Sequence, residues 1–551
     1  MELCHTDQLL HSPAAQRLAE FIQDRYEKRA IQNSLSSVDS FGSFEQNLHT
    51  LVMALESELV GKELSRYDIT AKEIEVDGKV YRRGVRYAET YLTAAGRVAV
   101  ERTLYDPVTE EAEKGKSICP LELQSGIIAG YFTPRAARQG SFAMAHLTPG
   151  ESEELFGEIG NMQPSRSSLD RLPKALLPHW EEHRVTWEAQ LRETETVPAA
   201  AMVVAISVDG VMSPIRGADK QAQAQKPGKH ASGPTGYKEV GCGTVTLYGQ
   251  EAEQKTEQKT EQGAERLQTV RYARMPESKK VTLQQQLETE VASILALSPD
   301  LLRVHLADGA KDNWRLLNDI EVHLPVPSQA PIEIVDFYHA CDHLKNGCDA
   351  AWGESTQKSK DFFERMRTWL RERDDGAERI LRTLRFQCSL ASGNQRKRLE
   401  AELTYFRNQQ SRMHYTEYIR LHLPIASGVM EASCKTLVTQ RLKCSGMAWT
   451  IAGGQAILTL RSLIQSNRWH SAWTLLSADF CKTITVLTQP NQHKVEIINL
   501  GQTQPIPLSG STQSVRPIQF AEGNGHRQAA QNQDSTQPVR SFEFVSLLLA
   551  A

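Results

Sequence analysis

Three acidic residues stand at positions where a carboxylate can bind a divalent cation. Asp209 and Asp308 each follow an apolar run that predicts a buried strand, and each precedes a glycine. Glu431 lies in LHLPIASGVMEASCK (421–435), among small and apolar residues that continue as a predicted helix. Carboxylate oxygens suit Mg²⁺, which binds few protein groups and keeps positions for water and phosphate oxygens. The three acids therefore predict metal-dependent chemistry at a phosphate.

Each acid also has a structural interpretation. An Asp-Gly pair after a strand is a common turn signal. A glutamate in the first turn of a helix capped by Ser427 would complement the helix dipole, contributing about 0.3 to 1 kcal/mol. The joint placement favours the metal site, because Asp209 and Asp308 would project from one sheet edge if the first and fourth strands are neighbours. Glu431 would then complete a two-metal site with ions about 3.5 to 4 Å apart.

The centre of the chain predicts the sheet that positions these acids. The nearly continuous apolar run 198–210 is typical of a strand buried on both faces. The following patterns predict strands at 241–249, 267–275, 301–309 and from 332, with helices at 281–297, at 312–320 and up to 346. The order βββαβαβα is that of ribonuclease H-like domains. The predicted class is α/β, a ribonuclease H-like mixed-sheet core with a helical insertion, preceded by a helical and β N-terminal DNA-binding region.

Composition and periodicity divide the chain further. Apolar residues at helical spacing mark the N-terminus, and alternation with turns at Asp77-Gly78 and Ala95-Gly96 predicts a small antiparallel meander. The predicted segments are a helical N-terminus (1–65), a β-rich region (66–145), a helix-turn-helix-like DNA-binding segment (146–195), the first part of the core (198–355), the helical insertion (356–420), the last part of the core with Glu431 (421–485) and a mostly disordered tail (489–551).

Residues 148–177 carry the pattern of a short helix, a turn and a second helix. This spacing suits a helix-turn-helix with Ser165, Arg166 and Arg171 at the front of a recognition helix. Plain packing of two helices is the alternative interpretation, because two helices joined by a turn are common in helical proteins.

Charge gives two opposing indications about nucleic acid. The formal net charge of −4 argues against a simple DNA-binding protein. Residues 376–470, however, carry 14 Lys and Arg against five Asp and Glu, which could neutralise a phosphate backbone. The alternative for this segment is a solvated helical surface.

The cysteines and the N-terminus bear on the cellular compartment. Nine scattered cysteines without a CxxC pair indicate reduced thiols. The N-terminus MELCHTDQLLHS has no signal-peptide pattern, and no apolar run is long enough for a membrane span. We therefore expect a soluble cytoplasmic protein with no membrane contact.

A second group of polar residues lies in IVDFYHACDHLKN. His339 and His343 share a helix face at i and i+4, so a zinc pair is geometrically possible. Because no second ligand pair occurs at suitable spacing, substrate phosphate contact or support of the metal site by Asp336 and His339 is favoured. A structural role for these residues remains open.

Four sequence blocks resemble the DDE transposases of Kra-type bacterial insertion sequences, which are distant relatives of the Mutator group. The blocks are ISVDGVM, HLADGAKDNW, IVDFYHACDHL and YFRNQQSRMHYTEYIRLHLPIASGVMEASCKTLVTQRLKCSGMAW, and the similarity spans roughly residues 70–475. The resemblance implies a ribonuclease H-like core with a helical insertion before the final glutamate. It also implies metal-dependent cleavage and joining of element-end DNA.

The resemblance assigns the catalytic and metal-binding roles. Asp209, Asp308 and Glu431 match the triad, which would bind two Mg²⁺ ions, or Mn²⁺ in their place. One ion would activate water for strand nicking and then the freed 3′-hydroxyl for strand transfer. Relatives often carry paired cysteines in the N-terminal half, whereas the segment LYDPVTEEAEKGKSICPLEL here has only Cys119, so no zinc module is expected.

The resemblance also suggests DNA contacts. Asp336 and His339 match an Asp-x-x-His signature whose suggested role is contacting or orienting DNA. Arg441 and Lys443 lie in the basic and aromatic block and are predicted to contact phosphates. Trp449, in the same block, is expected in the core rather than against a base.

The resulting functional prediction is an insertion-sequence transposase that cleaves DNA at terminal inverted repeats and transfers the strand into target DNA. Its partners would be double-stranded DNA, as inverted repeats and as target, and further copies of itself in a homo-oligomer on paired ends, in a bacterial cytoplasm at the nucleoid. Two alternatives remain: a ribonuclease H-like nuclease or resolvase without strand transfer, and a catalytically inactive DNA-binding regulator.

Overall fold

A computed structural model describes residues 12–31, 41–108, 116–160, 162–216, 236–249, 264–325, 330–487 and 495–496. The tail predicted at 489–551 lies outside these ranges except for residues 495–496. Within the described ranges the chain is a mixed α/β protein with two five-stranded sheets and many helices. None of the helices in these ranges is both long and apolar enough to cross a bilayer.

The N-terminal part contains two helices and an antiparallel meander, as the alternating pattern predicted. These elements are α1 (Pro13–Ile31), α2 (Phe41–Ser65), β1 (Glu73–Val76), β2 (Lys79–Thr93) and β3 (Gly96–Pro107). The β1–β2 turn contains Asp77 and Gly78, both at positive φ (49° and 75°). Positive φ at both central residues is the requirement of a tight hairpin turn, which explains the Asp-Gly pair.

Four helices follow the meander. They are α3 (Pro120–Ser125), α4 (Pro134–His146), α5 (Pro149–Ile159) and α6 (Arg166–Glu193). Thr148 and Glu151 form a capping box at the start of α5, and Gly160 ends that helix at φ 76°. The helix, turn and helix predicted for 148–177 are therefore present, but α6 continues for 28 residues and buries Trp180 and Trp187.

The central sheet has the element order predicted from the sequence. Its elements are β4 (Ala201–Pro214), β5 (Tyr237–Gly249), β6 (Glu265–Arg274), α7 (Val281–Leu297), β7 (Leu302–Ala307), α8 (Lys311–His323), β8 (Ile332–Val335) and α9 (Phe337–Trp352). The strand order is β6-β5-β4-β7-β8. The strands β7 and β8 run parallel to β4, whereas β5 is antiparallel to both of its neighbours.

One strand boundary differs from the prediction. Asp209 does not close the first strand, because β4 continues to Pro214 and pairs with β5 over its whole length, Asp209 lying opposite Cys242. The Asp-Gly pair at 209–210 is thus inside a ladder rather than in a turn. The fourth strand does end before Asp308, as expected.

The helical insertion and the last segment complete the described chain. They contain α10 (Gln357–Glu372), α11 (Gly376–Leu390), α12 (Gly393–Gln409), α13 (Tyr415–Arg420), α14 (Gly428–Ser433), a π-helical turn (Cys434–Thr439), α15 (Gln440–Leu442), α16 (Ile451–Gln465), α17 (Trp469–Asp479), β9 (Thr485–Leu487) and β10 (Val495–Glu496). The strand β9 pairs with β1, so the first sheet has the order β10-β9-β1-β2-β3. The sequence did not predict this return of the chain.

A buried ionic network connects the central sheet to the helices on both sides. The guanidinium of Arg468, 4% exposed, donates to Glu290 at 2.7 and 3.0 Å, to Glu195 and to the hydroxyl of Tyr272 at 3.0 Å. Burial favours the neutral acid, but the charge and hydrogen bonds of Arg468, the hydrogen bond from Tyr272 and the charge of Arg192 together lower the pKa of Glu290. Glu290 is 1% exposed, and Arg192 lies 3.5 Å from it as a second cation.

We expect Arg468→Met to lower the free energy of unfolding by about 3 to 5 kcal/mol, because it removes the hydrogen-bonded cation of the buried Glu290 carboxylate and leaves only Arg192 at 3.5 Å. A depressed native pKa contributes stability above the unfolded pKa and loses it as pH falls, so the difference from wild type should shrink toward acid pH. Urea unfolding at pH 7 and pH 4 measures both. The control is Arg382→Met, whose exposed ion pair with Glu378 should change stability little; equal losses in both variants would contradict a role for burial.

Candidate metal and nucleic-acid site

Two aspartates lie near each other at one end of two neighbouring parallel strands. The strands β4 and β7 pair from Val203 opposite Leu302 to Ser207 opposite Leu306, where the paired register ends. Asp209 comes two residues later within β4, and Asp308 comes just after the end of β7. The charge of Asp308 acts on the carboxyl group of Asp209, so the two acids are close in space.

The surroundings of Asp209 disfavour its charged form. Its Oδ1 accepts a hydrogen bond from the backbone N–H of Gly210 (2.7 Å), and its Oδ2 accepts from the thiol of Cys434 (3.6 Å). Burial raises the pKa of Asp209, and the negative charge of Asp308 raises it further, beyond what the bond from Gly210 offsets. Hydrogen bonding with Cys242 and burial raise the pKa of Cys434, so the thiol remains a donor.

The helical insertion holds the loop that carries Asp308. Asp308 Oδ1 accepts from the backbone N–H of Ala310 (2.9 Å) and from Asn313 Nδ2 (3.1 Å). From α12, the hydroxyl of Tyr405 donates to the carbonyl of Asp308 (3.2 Å), and Gln409 Nε2 donates to the carbonyl of Gly309 (3.0 Å). Burial and the charge of Asp308 raise the pKa of Tyr405, which keeps its hydroxyl a donor.

Glu431 lies one helical turn before Cys434, on the short helix α14. Residues three apart share a helix face, so Glu431 lies on the same side of the helix as Cys434. Cys434 in turn donates to Asp209. Its side chain is exposed. Among the described residues no three His, Cys, Asp or Glu side chains form a group that could hold a metal ion. The structure therefore brings Asp209 and Asp308 together and leaves Glu431 outside that pair.

The aspartate pair has the character of a cation site. The two carboxylates repel each other, and neither forms an ion pair with a Lys, Arg or His in the described ranges. Two half-buried hard-oxygen ligands without a protein cation suit a divalent ion of the magnesium type. Sequence reasoning missed Cys434 and Cys242 beside Asp209; the Glu-x-x-Cys spacing on a predicted helix was the available signal for Cys434.

Asp336 is a buried connector between three segments. Its Oδ1 accepts from the backbone N–H of His339 (2.6 Å) and caps α9, and its Oδ2 accepts from the backbone N–H of Ser427. Its own N–H donates to the carbonyl of Ala307 (2.9 Å), next to Asp308. The side chain is 5% exposed. Both carboxylate oxygens thus accept hydrogen bonds from the backbone. This is the structural role that the sequence analysis kept as the alternative to DNA contact.

The histidines of the same segment also contact other side chains of the protein. His343 Nδ1 lies 2.6 Å from Glu402 Oε2, and its ring stacks on Tyr405 with centroids 3.6 Å apart. The His339 ring is 5.1 Å from that of His343. Burial raises the pKa of Cys341 to about 12, so its thiol stays neutral. Of the two residues of this segment that were predicted to contact DNA, His339 is half-buried and Asp336 is buried.

The residues predicted at the front of a recognition helix differ in how free their side chains are to contact DNA. Ser165 is the N-cap of α6 and accepts from the backbone N–H of Ser168 (3.2 Å). Arg166 is exposed and pairs with Glu153 of α5 at 2.6 Å. Arg171 is exposed, with Nε donating to the carbonyl of Ser167 (3.0 Å). DNA contact by the two arginines stays a prediction, while Ser165 has an evident capping function.

The two cations of the basic block lie in different environments. Arg441 is 2% exposed and donates from Nε to the carbonyl of Met144 (3.2 Å), so it is an interior residue. Lys443 is exposed. The indole N–H of Trp449 donates to the carbonyl of Leu442 (3.0 Å), and its ring packs against the core, as expected. A DNA backbone on the surface would meet Lys443 before Arg441.

We expect Asp336→Asn to lower the free energy of unfolding by about 2 to 3 kcal/mol, because the amide can accept only one of the two backbone hydrogen bonds made to the charged carboxylate. Chemical denaturation measures this loss. The control is Asp342→Asn, an exposed position on α9. Wild-type stability of Asp336→Asn combined with weakened DNA binding would instead indicate a DNA-contacting residue.

We expect Asp209→Asn to be more stable than wild type at pH 7 in the presence of EDTA. A carboxyl group whose native pKa is raised loses stability as pH rises from the unfolded pKa, about 3.9, through the native value, and Asn removes that charge. The advantage should therefore vanish below about pH 4. Urea unfolding at pH 3.5 and 7 measures it, with the exposed Asp319→Asn as control; destabilisation at pH 7 would contradict the interpretation.

Comparison with known proteins adds a similarity to solved structures. The sequence matches no family model and no curated protein. Among solved structures, the fold is similar to the Drosophila P element transposase strand transfer complex, with a TM-score of 0.30 and 10% sequence identity, over 60% of this chain and 91% of that chain. A similarity at this level assigns neither a family nor any residue.

Proposed function

We propose that this protein is a DNA transposase of the DDE type, related to the Kra-type and Mutator-like enzymes, with Asp209, Asp308 and Glu431 as its catalytic acids. The observation that carries the proposal is the nearness of two carboxylates, Asp209 within β4 and Asp308 just after β7, without a protein cation among the described residues. Fold stability alone gives no reason to retain such a pair, since burial and the charge of Asp308 both raise the cost of ionising Asp209.

The sheet supports a ribonuclease H-like core. Its order β6-β5-β4-β7-β8, with only β5 reversed, is the arrangement that brings the first and fourth strands of the unit together. The insertion between the fifth strand and Glu431 is helical, and its helix α12 hydrogen-bonds the Asp308 loop. Four sequence blocks resembling the Kra-type enzymes coincide with β4, with β7, with the start of α9 and with the region around α14.

In this proposal each acid has a distinct task. Asp209, rigid within a ladder, and Asp308, oriented by Asn313 and the insertion, would bind Mg²⁺, with Mn²⁺ able to replace it. Bound Mg²⁺ supplies activation of the attacking oxygen and neutralises charge on the phosphate. Glu431 would join the pair when DNA is bound, since α14 presents it on the side of Asp209 and its side chain is free to reorient. The thiol of Cys434 would hold Asp209 in place meanwhile.

DNA contacts are assigned to exposed cations. Arg166 and Arg171 at the start of α6 would contact the inverted repeats, and Lys443, together with the half-buried His339, would lie along the strand being cut. Phosphate contacts of this kind position the duplex without reading its sequence. A homo-oligomer would pair two element ends in the bacterial cytoplasm, at the nucleoid.

We expect Asp308→Asn and Glu431→Gln to reduce strand transfer by about 10²- to 10³-fold, because each removes a group that acts at the transition state. The assay uses purified full-length protein, Mg²⁺ and labelled DNA carrying the inverted repeats that flank the gene. Circular dichroism and DNA binding should remain unchanged in both variants. The matched control is Glu417→Gln, an exposed acid on α13, which should retain full activity.

The products distinguish the alternatives. Strand-transfer products that disappear in both variants support the transposase. Cleavage without joining identifies a nuclease or resolvase, and binding without Mg²⁺-dependent cleavage identifies a regulator. Loss of folding in Glu431→Gln would return Glu431 to a structural role in its helix.

A further inference from the structure

A cavity of about 290 Å³ lies apart from the acids, between the start of α6 and the start of α16. Its walls include Lys174, Arg216, Arg441, Trp449 and Thr450. The volume is close to the lower end of the range for pockets that bind small ligands. Three of the fourteen residues that line the cavity are cationic, and one, Asp170, is acidic.

The most informative wall residue is Arg441. Its side chain is 2% exposed, yet it forms no ion pair with a carboxylate in the described part of the chain. Its hydrogen bonds go to the carbonyl of Met144 and, weakly, to the sulfur of Met447, and its guanidinium lies 5.1 Å from the centroid of the Trp449 ring. A buried cation without an anion is costly unless a ligand supplies the charge.

A second buried arginine increases the positive potential. Arg461, 3% exposed, donates to the carbonyls of Thr436 and Ala145 and also forms no ion pair with a described carboxylate. Burial, and after it the charge of Arg441, lowers the pKa of Arg461 to about 10. The two guanidinium groups thus act on each other without a neutralising acid, and an anion in the cavity would relieve both.

The other residues that line the cavity also favour an anionic ligand. Thr450 is the N-cap of the 15-residue helix α16, so the positive end of its dipole faces the cavity. The acid on the wall, Asp170, is paired with Lys174 at 2.5 Å. Glu151, the other carboxylate near Arg441, is used in the capping box of α5. The surroundings therefore leave a net positive site.

We propose that this cavity binds a phosphate group, as a phosphodiester or terminal phosphate of a DNA strand or as a free nucleotide. Arginine and lysine side chains and a helix N-terminus are groups that bind phosphate in proteins. The inference rests on the proposed function only where it names DNA as one source of the phosphate. The net positive charge of the walls favours an anion whichever reaction this protein catalyses.

The test uses the full-length protein and two kinds of probe: inorganic phosphate and adenosine 5′-monophosphate, and a 5′-phosphorylated oligonucleotide. The double variant Lys174→Gln/Arg216→Gln changes exposed wall residues and should fold normally. Isothermal titration calorimetry should show binding weakened about 10- to 100-fold, the scale of one or two charged hydrogen bonds. The matched control is Arg315→Gln/Lys358→Gln, which removes two exposed charges away from the cavity.

Each outcome has one interpretation. Weaker binding of phosphate and the mononucleotide assigns a free nucleotide site, and weaker binding of the oligonucleotide alone assigns a DNA strand. Binding unchanged by the double variant, or weakened equally by the control, overturns the proposal. The same titration on Asp308→Asn separates the two proposals, because phosphate binding should persist there even if no variant of this protein cleaves DNA.

Discussion

The carboxylate of Asp336 is the constraint on which the geometry of the candidate site depends. It caps α9, accepts from the backbone of Ser427 at the start of the Glu431 segment, and its own N–H bonds to Ala307 beside Asp308. One buried residue thus joins two of the three acid-bearing segments, which are 123 residues apart in the chain, through its carboxylate on one side and its backbone N–H on the other. Hydrogen bonds from a backbone N–H to a carboxylate are strong and directional, so this residue couples the positions of the two segments.

Near Asp336, the candidate site places two acidic side chains close to each other. Asp209 within β4 and Asp308 just after β7 lie close together, and burial, followed by the charge of Asp308, disfavours the ionised form of Asp209. The surrounding structure offsets this locally: Gly210 and Cys434 donate to Asp209, and Asn313 donates to Asp308 while Tyr405 anchors its backbone. These hydrogen bonds fix the positions of the two carboxylates relative to the backbone.

The basic side chains divide into exposed and buried groups. The chain is acidic overall, but the basic stretch 376–470 divides between exposed side chains such as Lys443 and buried ones such as Arg441, Arg461 and Arg468. Arg468 has the buried acid Glu290 as a partner, whereas Arg441, on the wall of a cavity, and Arg461 form no ion pair with a carboxylate in the described ranges. The same residue type therefore serves the fold in one place and is available to an anionic ligand in another.

Much of the fold was predictable because its determinants are local. Apolar runs and helical periodicity identified the strands and helices of the central sheet in their correct order, and the capping and turn residues identified the meander and the α5–α6 boundary. The acids Asp209, Asp308 and Glu431 could also be selected from the sequence. Tertiary structure alone decided that Asp209 lies inside a ladder, that β9 pairs with β1, that Asp336 is a connector and that Arg441 is buried. These features depend on contacts between residues tens to hundreds of positions apart, which no local pattern encodes.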